Sequence, residues 1–486
     1  MKSTDPNQYN DSHNAYMERI FIKQVTSFKS FPYPSLAYRR AKLIELRRQI
    51  LRYQDIIAKA ISKDFGFRSI DDSKLMDILS SVLEIEHAIK HIHRWIRPSK
   101  RTTELLFKFN SLHIEYQPKG VIGVIVPWNF PVYLALGPLI ASITAGNRVM
   151  IKLSEFTPNT NKVLREMLSE IFLEDEVAIF GEEIIDPANF TNLPFNHIIF
   201  TGSPAVGKVV MRSASENLTP VTLELGGKSP ALVTSDYPIT DAAKRIIHGK
   251  SVNSGQICVA PDYALIPESK ISEFVLECKN NFNKMYGQNV SKNPDYTSII
   301  NFRHSQRIQE IMIDAKEKGA EVIPCSEYNF LEFPQRMPVH IVLNCTQEMR
   351  IMREEIFGPI LPVVGYKNLN EAIDFIKNNE RPLALYLFTH NSKESDQILK
   401  QTHSGGVTIN DWGWHAINHD APFGGTGNSG MGSYHGIEGF RELSHAKTIF
   451  KRHRFFPTQL FHPPYGRWLQ KLIIKFFLKK SDSNLE

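Results

Sequence analysis

Two short stretches carry residue types suited to covalent carbonyl chemistry. Glu224-Leu225-Gly226-Gly227-Lys228 offers a carboxylate on a backbone that two glycines leave bare. Gly255-Gln256-Ile257-Cys258-Val259-Ala260-Pro261, 34 residues further on from Glu224 to Cys258, offers one cysteine in a small, unhindered loop. A thiolate attacks a carbonyl carbon, and a carboxylate draws a proton from the water that later frees the acyl group. Alone, Cys258 reads as an inert buried thiol, and Gly226-Gly227 reads as an ordinary turn. As a pair they require an oxyanion donor elsewhere in the chain.

At 486 residues the chain is long enough for two or more domains, each with its own core. Hydrophobic residues at 42% and charged residues at 22% fit a soluble globular protein. The four cysteines, Cys258, Cys278, Cys325 and Cys345, form no CxxC pair and no metal-ligand spacing, and read as reduced cytosolic thiols. Met1 to Asn10 is polar, so no signal peptide is expected, and no apolar run approaches the roughly 18 residues of a membrane span. The net charge of +6 belongs to the C-terminus: Lys451 to Lys480 holds eight Lys or Arg and no acid. The body is therefore not basic, which argues against nucleic-acid binding.

The elements that must position the pair follow from periodicity. Residues 1–12 read as disordered. Helices are expected over Asn14 to Phe28, over Ser35 to Ser62 behind an N-cap at Ser35, and over Asp72 to Trp95 with Leu75, Leu79, Val82, Ile85 and Ile89 inward. In the last of these, His87 and His91 lie one turn apart, a metal-like spacing with no third ligand, and no metal is expected. After Pro98, the stretch Leu105 to Gln117 reads as a hairpin of the kind that pairs with another subunit. From Val121 the pattern becomes β-α-β: strands at Val121 to Val126, Arg148 to Lys152, Glu176 to Phe180 and His197 to Phe200 alternate with helices at Leu134 to Thr144 and Asn159 to Phe172. This predicts an α/β fold with a doubly wound sheet, binding ligands at the carboxyl ends of its strands.

Thr201-Gly202-Ser203-Pro204-Ala205-Val206-Gly207-Lys208 places a glycine turn and a capped helix start after a strand, an arrangement that presents N–H groups to phosphate. The helix Glu268 to Met285 puts Cys278 on a core face, and a late strand spans Val407 to Asn410. Glu354-Glu355, before the strand Ile360 to Val364, is either acid-base or ribose-binding machinery or a solvated turn. Gly425-Thr426-Gly427-Asn428-Ser429-Gly430 matches GxGxxG, but no strand leads into it and no acid follows about 20 residues on, so it reads as a lining loop. Arg467 to Lys480 alternates basic and apolar residues as an amphipathic helix, suited to a membrane surface, to a partner or to the protein's own surface.

Taken in order, Pro127-Trp128-Asn129-Phe130-Pro131, Lys152 with Glu155, the Gly202 to Lys208 turn, Glu224 to Lys228, Cys258, and Glu355 with Phe357 resemble the motifs of the NAD(P)-dependent aldehyde dehydrogenases. The resemblance runs from about residue 15 to 466. Phe423 to Gly432 looks like the class 3 branch; Asp64 to Ser69, Tyr434 to Phe440 and Pro463 to Gly466 resemble the bacterial coniferyl aldehyde dehydrogenases. Leu153 departs from the family, which usually has proline there.

The resemblance implies that Cys258 attacks the aldehyde, that Asn129 and the Cys258 backbone N–H hold the oxyanion, and that Glu224 activates the water that hydrolyses the thioester. It implies cofactor contacts from Lys152 and Glu155 at the adenosine ribose, from Gly202, Ser203, Val206 and Gly207 at the pyrophosphate, from Leu225 and Gly226, and from Glu355 and Phe357 at the nicotinamide ribose. NAD is favoured over NADP by Glu155. The implied domains are N-terminal helices of the NAD-binding domain (1–97), an oligomerisation hairpin (98–119), a Rossmann-type NAD-binding domain (120–224), a catalytic domain (225–415), a lining loop returning to the oligomerisation region (416–466) and a basic tail (467–486).

A cytoplasmic homodimer is expected, with the tail as a candidate contact to anionic membrane. Trp412, Trp414 and Tyr133 are candidates for a substrate tunnel. Aryl-propenals such as coniferyl aldehyde, other aromatic aldehydes and long-chain fatty aldehydes all suit such a tunnel. The rival readings are a CoA-acylating relative, which would not need Glu224, and an inactive binding protein on this fold.

Overall fold

The computed structural model describes residues 6–184, 187–329 and 331–478. The chain divides into two compact units, residues 1–95 with 117–445 and residues 96–116 with 446–486.

The larger unit holds two sheets. The first orders its strands as Gly430–Met431, Val221–Leu225, His197–Gly202, Val121–Ile125, Arg148–Lys152 and Val177–Phe180, all parallel except the first. Val121-Ile122-Gly123-Val124-Ile125 is buried on both faces, as a near-continuous apolar run in a parallel sheet must be. The helix Tyr133–Ala145 is buried at every position after Tyr133, which explains why its sequence is apolar all round. The second sheet runs Glu321–Pro324, His340–Leu343, Ile360–Tyr366, Tyr263–Pro267, Pro230–Val233, Ala384–Phe388 and Gly406–Ile409, parallel apart from its first pair. Cys278 sits in the core beneath it with Phe274 and Phe282, on the helix Ile271–Tyr286.

Several expectations shift. The first helix is longer than expected, Pro6–Ser30. Helix Leu36–Asp64 begins at the expected cap, with the Ser35 hydroxyl accepting the Tyr38 N–H, worth about 1 kcal/mol. At its other end the Asp64 carboxylate accepts the N–H groups of Asn159 and Thr160, capping the helix Pro158–Ser169. The stretch Asp72 to Trp95 is not one α-helix. It runs as Ile70–Ser73, a π-helical turn Lys74–Leu79, and Ser80–Trp95. The wider turn shifts the helical phase. Leu75 and Leu79 are therefore 57% and 44% exposed, and Asp77 and Ile78 turn inward instead. His87 and His91 stack with ring centroids 4.4 Å apart, and His87 faces Asp420 at 3.4 Å.

In the smaller unit a hairpin is present, but its upstream arm is Ser99–Arg101, with Lys100 opposite His113 on the strand Ser111–Pro118. Leu105–Phe107 is a 3-10 turn between the arms, not part of a strand. The pull on it is aromatic: Phe107 packs against Phe450, Phe456 and Phe461 with centroids 5.8–6.3 Å away. Ser444–Lys451 adds a third strand. The tail forms the helix Trp468–Leu478, whose Gln470 amide donates to the carbonyls of Leu460 and His462. Trp468, Leu472, Ile474 and Phe476 are each more than half exposed. Lys479 and Lys480 lie outside the described residues. Among the described residues no helix is long and apolar enough to cross a membrane.

Candidate active site

Glu224 lies near the carboxyl end of the strand Val221–Leu225, buried, with both carboxylate oxygens lacking a hydrogen-bond partner. The glycine loop that matched GxGxxG packs beside it. Gly430 pairs with Glu224 across the antiparallel strand, and a Cβ on Gly430 would come within 2.1 Å of the Leu223 carbonyl. Of that loop, Asn428 stands on the wall of the polar cleft described below.

Cys258 follows a strained turn. Asn253, Ser254 and Gly255 have φ of 48°, 53° and 69°, left-handed values that non-glycine residues rarely adopt. Hydrogen bonds fix the turn. Asn253 Nδ2 donates to the Asn129 carbonyl at 3.1 Å, Ser254 Oγ donates to the Thr297 carbonyl, and Gln256 Nε2 donates to the carbonyls of Asn253 and Ser298 at 2.8 and 3.1 Å. Asn129 stands in the loop after Val121–Ile125, and its Nδ2 donates to the Gln256 carbonyl at 3.1 Å. An amide carries two N–H bonds, so the same group has a second donor for an oxyanion. Cys258, Glu224 and Asn129 are thus brought to one place from three elements.

Two cavities meet at Cys258. One, of about 680 Å³, is a tunnel walled by Met76, Phe130, Tyr133, Trp412, Trp414 and Phe423, among others. The three aromatic residues expected in a tunnel are all on its wall. The other, of about 790 Å³, is a polar cleft that holds Asn129, Gly202, Ser203, Glu224, Gly226, Glu355 and Phe357. Lys152, Glu155, Val206, Gly207 and Leu225 are not on its wall. Gly207 instead lets the helix Pro204–Ser215 close on its strand, since a Cβ there would lie 2.8 Å from Leu225. Ser203 caps this helix, accepting the Val206 N–H at 3.4 Å. Lys152 ends its strand buried, its Nζ 2.8 Å from the Leu153 carbonyl and 4.0 Å from Glu155.

The two acids of Glu354-Glu355 part company. Both stand on the cleft wall, but Glu354 pairs with Arg350 at 2.8 Å, whereas Glu355 turns toward Gly226. Its Oε2 occupies the space of a Gly226 side chain, 2.0 Å from where that Cβ would be. Phe357, at φ 48°, sets its ring edge-on to Trp128 at 5.4 Å. The sequence reading missed three supports. Lys228 bonds Asp262 and donates to the carbonyls of Ile351 and Glu354 at 2.8 and 3.0 Å; Asp262 also accepts the Ile356 N–H at 2.9 Å. Arg307 donates to the carbonyls of Glu355 and Ile356. Lys228 closes the first motif and Asp262 directly follows the second, so their place beside chemistry was the available signal.

Burial raises the proton affinity of the three acidic groups at the site. Burial pushes the Cys258 thiol up to about 12, with Glu355 and Glu224 adding to the shift. Burial raises Glu224 well above the carboxylate range. It also brings Glu355 to about 8, with Asp262 adding and the Gly227 N–H opposing.

Residues 7–449 match the sequence profile of the Aldehyde dehydrogenase family. The chain belongs to that family. A "Probable coniferyl aldehyde dehydrogenase" of Pseudomonas aeruginosa is 46% identical, over 95% of this chain and 96% of its own. Among solved structures, the substrate-bound Staphylococcus aureus AldH superposes with a TM-score of 0.90 at 34% identity, covering 95% of the enzyme and 99% of that chain. A Mycobacterium tuberculosis aldehyde dehydrogenase complexed with NAD+ gives 0.81 at 25% identity, covering 90% of each chain.

Proposed function

We propose that the enzyme oxidises an aryl-propenal of the coniferyl type to its carboxylic acid, with NAD as cofactor and Cys258, Glu224 and Asn129 at the reacting atoms. The observation that carries this is the position of Cys258 on the wall shared by an apolar tunnel and a polar cleft. The name of the Pseudomonas relative supports the substrate, and the NAD+ complex of the Mycobacterium relative supports the cofactor.

The cleft fits a dinucleotide on its own features. Bare backbone at Gly226 and Gly227 lies beside the half-buried Glu355, and a twelve-residue helix opens behind Gly202 and Ser203. Ser203 and the helix N–H groups hold the pyrophosphate, Glu355 holds a ribose with Phe357 beside it, and Lys152 and Glu155 hold the other ribose. Val206, Gly207, Leu225 and Gly226 shape the approach. Glu182 and Glu183 join Glu155 in the field at Lys152, which disfavours a 2′-phosphate and favours NAD.

Cys258 adds to the aldehyde carbon, and its thiol proton passes to solvent water as the C–S bond forms. Asn129 Nδ2 and the Cys258 N–H steady the oxyanion. When bound, the dinucleotide supplies the acceptor for the hydride lost by the tetrahedral carbon. Glu224 then takes a proton from the water that cleaves the thioester. Residues 1–97 and 120–224 serve as the NAD-binding domain and 225–415 as the catalytic domain. Residues 98–119 pair two copies into a homodimer, residues 416–466 wall the site and return to that region, and the exposed tail helix rests on anionic membrane.

The test is a panel of aldehydes with NAD and NADP, scored by kcat/KM. Coniferyl aldehyde with NAD should lead; a saturated long-chain aldehyde ahead of it would redirect the substrate reading. Sedimentation with anionic vesicles, with and without residues 467–486, checks the tail.

A further inference from the structure

One buried cation is not used by the chemistry above. Arg68 is fully buried, and a charge in that state calls for charged and hydrogen-bonding partners. Its Nε donates to Asp72 at 3.2 Å, and its Nη2 lies 3.1 Å from Asp77 Oδ2 as an ion pair without hydrogen-bond geometry. Its Nη1 donates to the Asn129 carbonyl at 3.1 Å. That carbonyl also accepts from Asn253 in the cysteine turn, so Arg68 is bonded to the hinge between the Asn129 loop and the Cys258 loop. Its plane lies over the Phe130 ring, 4.8 Å from the centroid. Asp77 works on the same loop from the other side: its Oδ1 accepts the N–H groups of Val132 and Tyr133 at 3.2 and 3.0 Å. The π-helical turn is what points Asp77 inward, and its neighbours Met76 and Ser80 wall the tunnel together with Phe130, Tyr133 and Leu134.

We infer that Arg68 and Asp77 are positioning residues that set the Asn129 oxyanion donor and the adjoining tunnel wall as one rigid piece. The inference rests on Asn129 being that donor. A planar fork suits the place, because one guanidinium donates to Asp72 and to the Asn129 carbonyl in different directions and sets its third nitrogen against the Asp77 charge. An ammonium at the same place keeps the charge and loses the directions. The pair therefore ties substrate seating to acylation: the loop segment that donates to the oxyanion is continuous with the residues against which the aldehyde's apolar part lies.

A double-mutant cycle on the full-length enzyme tests this, read as the single-turnover rate of NADH formation from coniferyl aldehyde. Arg68→Lys should slow that rate at least tenfold in the native background and less than twofold in the Asn129→Ala background, with the Kd for NAD unchanged within twofold. An equal loss in both backgrounds, or no loss in the native one, would overturn the inference. Should Arg68→Lys fail to fold, Asp77→Asn gives the same cycle with the arginine kept, and the same two outcomes decide it. If Asn129→Ala alone kept the native rate, the oxyanion assignment itself would fall. That result is separable, because it appears before any Arg68 variant is added.

Discussion

The tunnel and the cleft that meet at Cys258 differ in lining, the tunnel being the more apolar although Lys244, Arg245 and Asp411 also stand on its wall. The tunnel wall is Phe130, Trp412, Trp414 and Phe423, surfaces that hold a guest by excluding water and with little direction. The cleft wall carries Glu224, Lys228, Arg307 and Glu355, groups that act through fixed hydrogen bonds and charge. The difference divides the labour. On the function proposed above, chain length and shape of the aldehyde are read on one side by fit, and proton movements are set on the other by charge. Cys258 belongs to both, so it alone feels both kinds of change.

Breaking the shared point should have the largest effect. Cys258→Ala should lower aldehyde oxidation by about 10³-fold or more while the Kd for NAD stays within a few-fold. Near-native turnover would move the nucleophile elsewhere. Glu224→Gln damages only the cleft side. Steady turnover should fall by roughly 10²-fold or more, yet one equivalent of NADH should still appear in a rapid burst. Rapid-mixing absorbance reads both phases, and a native steady rate would assign the base to another group.

The thiol's own titration sharpens the contrast. A pKa pushed up to about 12 means that the thiolate, the reactive form, increases as pH rises and is scarce at neutrality. Alkylation of the cofactor-free enzyme by iodoacetamide should therefore accelerate by about tenfold per pH unit between pH 7 and 10. Glu355→Gln removes a nearby negative charge, lowers the thiol's pKa and should make alkylation at pH 9 a few-fold faster. A pH-independent rate would mean that the thiolate is already formed. The smallest effect should come from the tunnel. Trp412→Ala should raise KM for coniferyl aldehyde several-fold and leave the Kd for NAD within twofold. Comparable changes in both constants would mean that the two cavities are not separate.

Much of this was legible in the sequence because it depends on local order. A strand followed by a glycine turn and a Ser-Pro start predicts the Pro204–Ser215 helix at its observed first residue, with the Ser203 cap. The order of the α/β elements around Val121, Arg148 and His197 followed from apolar runs buried on both faces. Features decided by long-range contact were not legible. The π turn at Lys74–Leu79 breaks the 3.6-residue period that placed Leu75 and Leu79 inside, and its reason, the demand of Arg68 and the Val132 and Tyr133 N–H groups on Asp77, is visible only in space. Phe107 left the expected strand for aromatic partners more than 340 residues away in sequence. Glu354 and Glu355 looked equivalent until Arg350 took one and Gly226 made room for the other.

The raised thiol also bears on how the enzyme ages. Peroxide attacks thiolates, and beyond the sulfenic stage the damage is generally permanent. A cysteine titrating near 12 exposes on the order of one thiolate in 10⁵ at neutral pH, against a few per cent for an ordinary one. Cys325 and Cys345 are raised to the same level, and Cys278 is pushed up as well. At rest, then, all four sulfurs are chemically quiet. Oxidative inactivation should concentrate in the turnover cycle, so that idle enzyme outlasts working enzyme in the same oxidant.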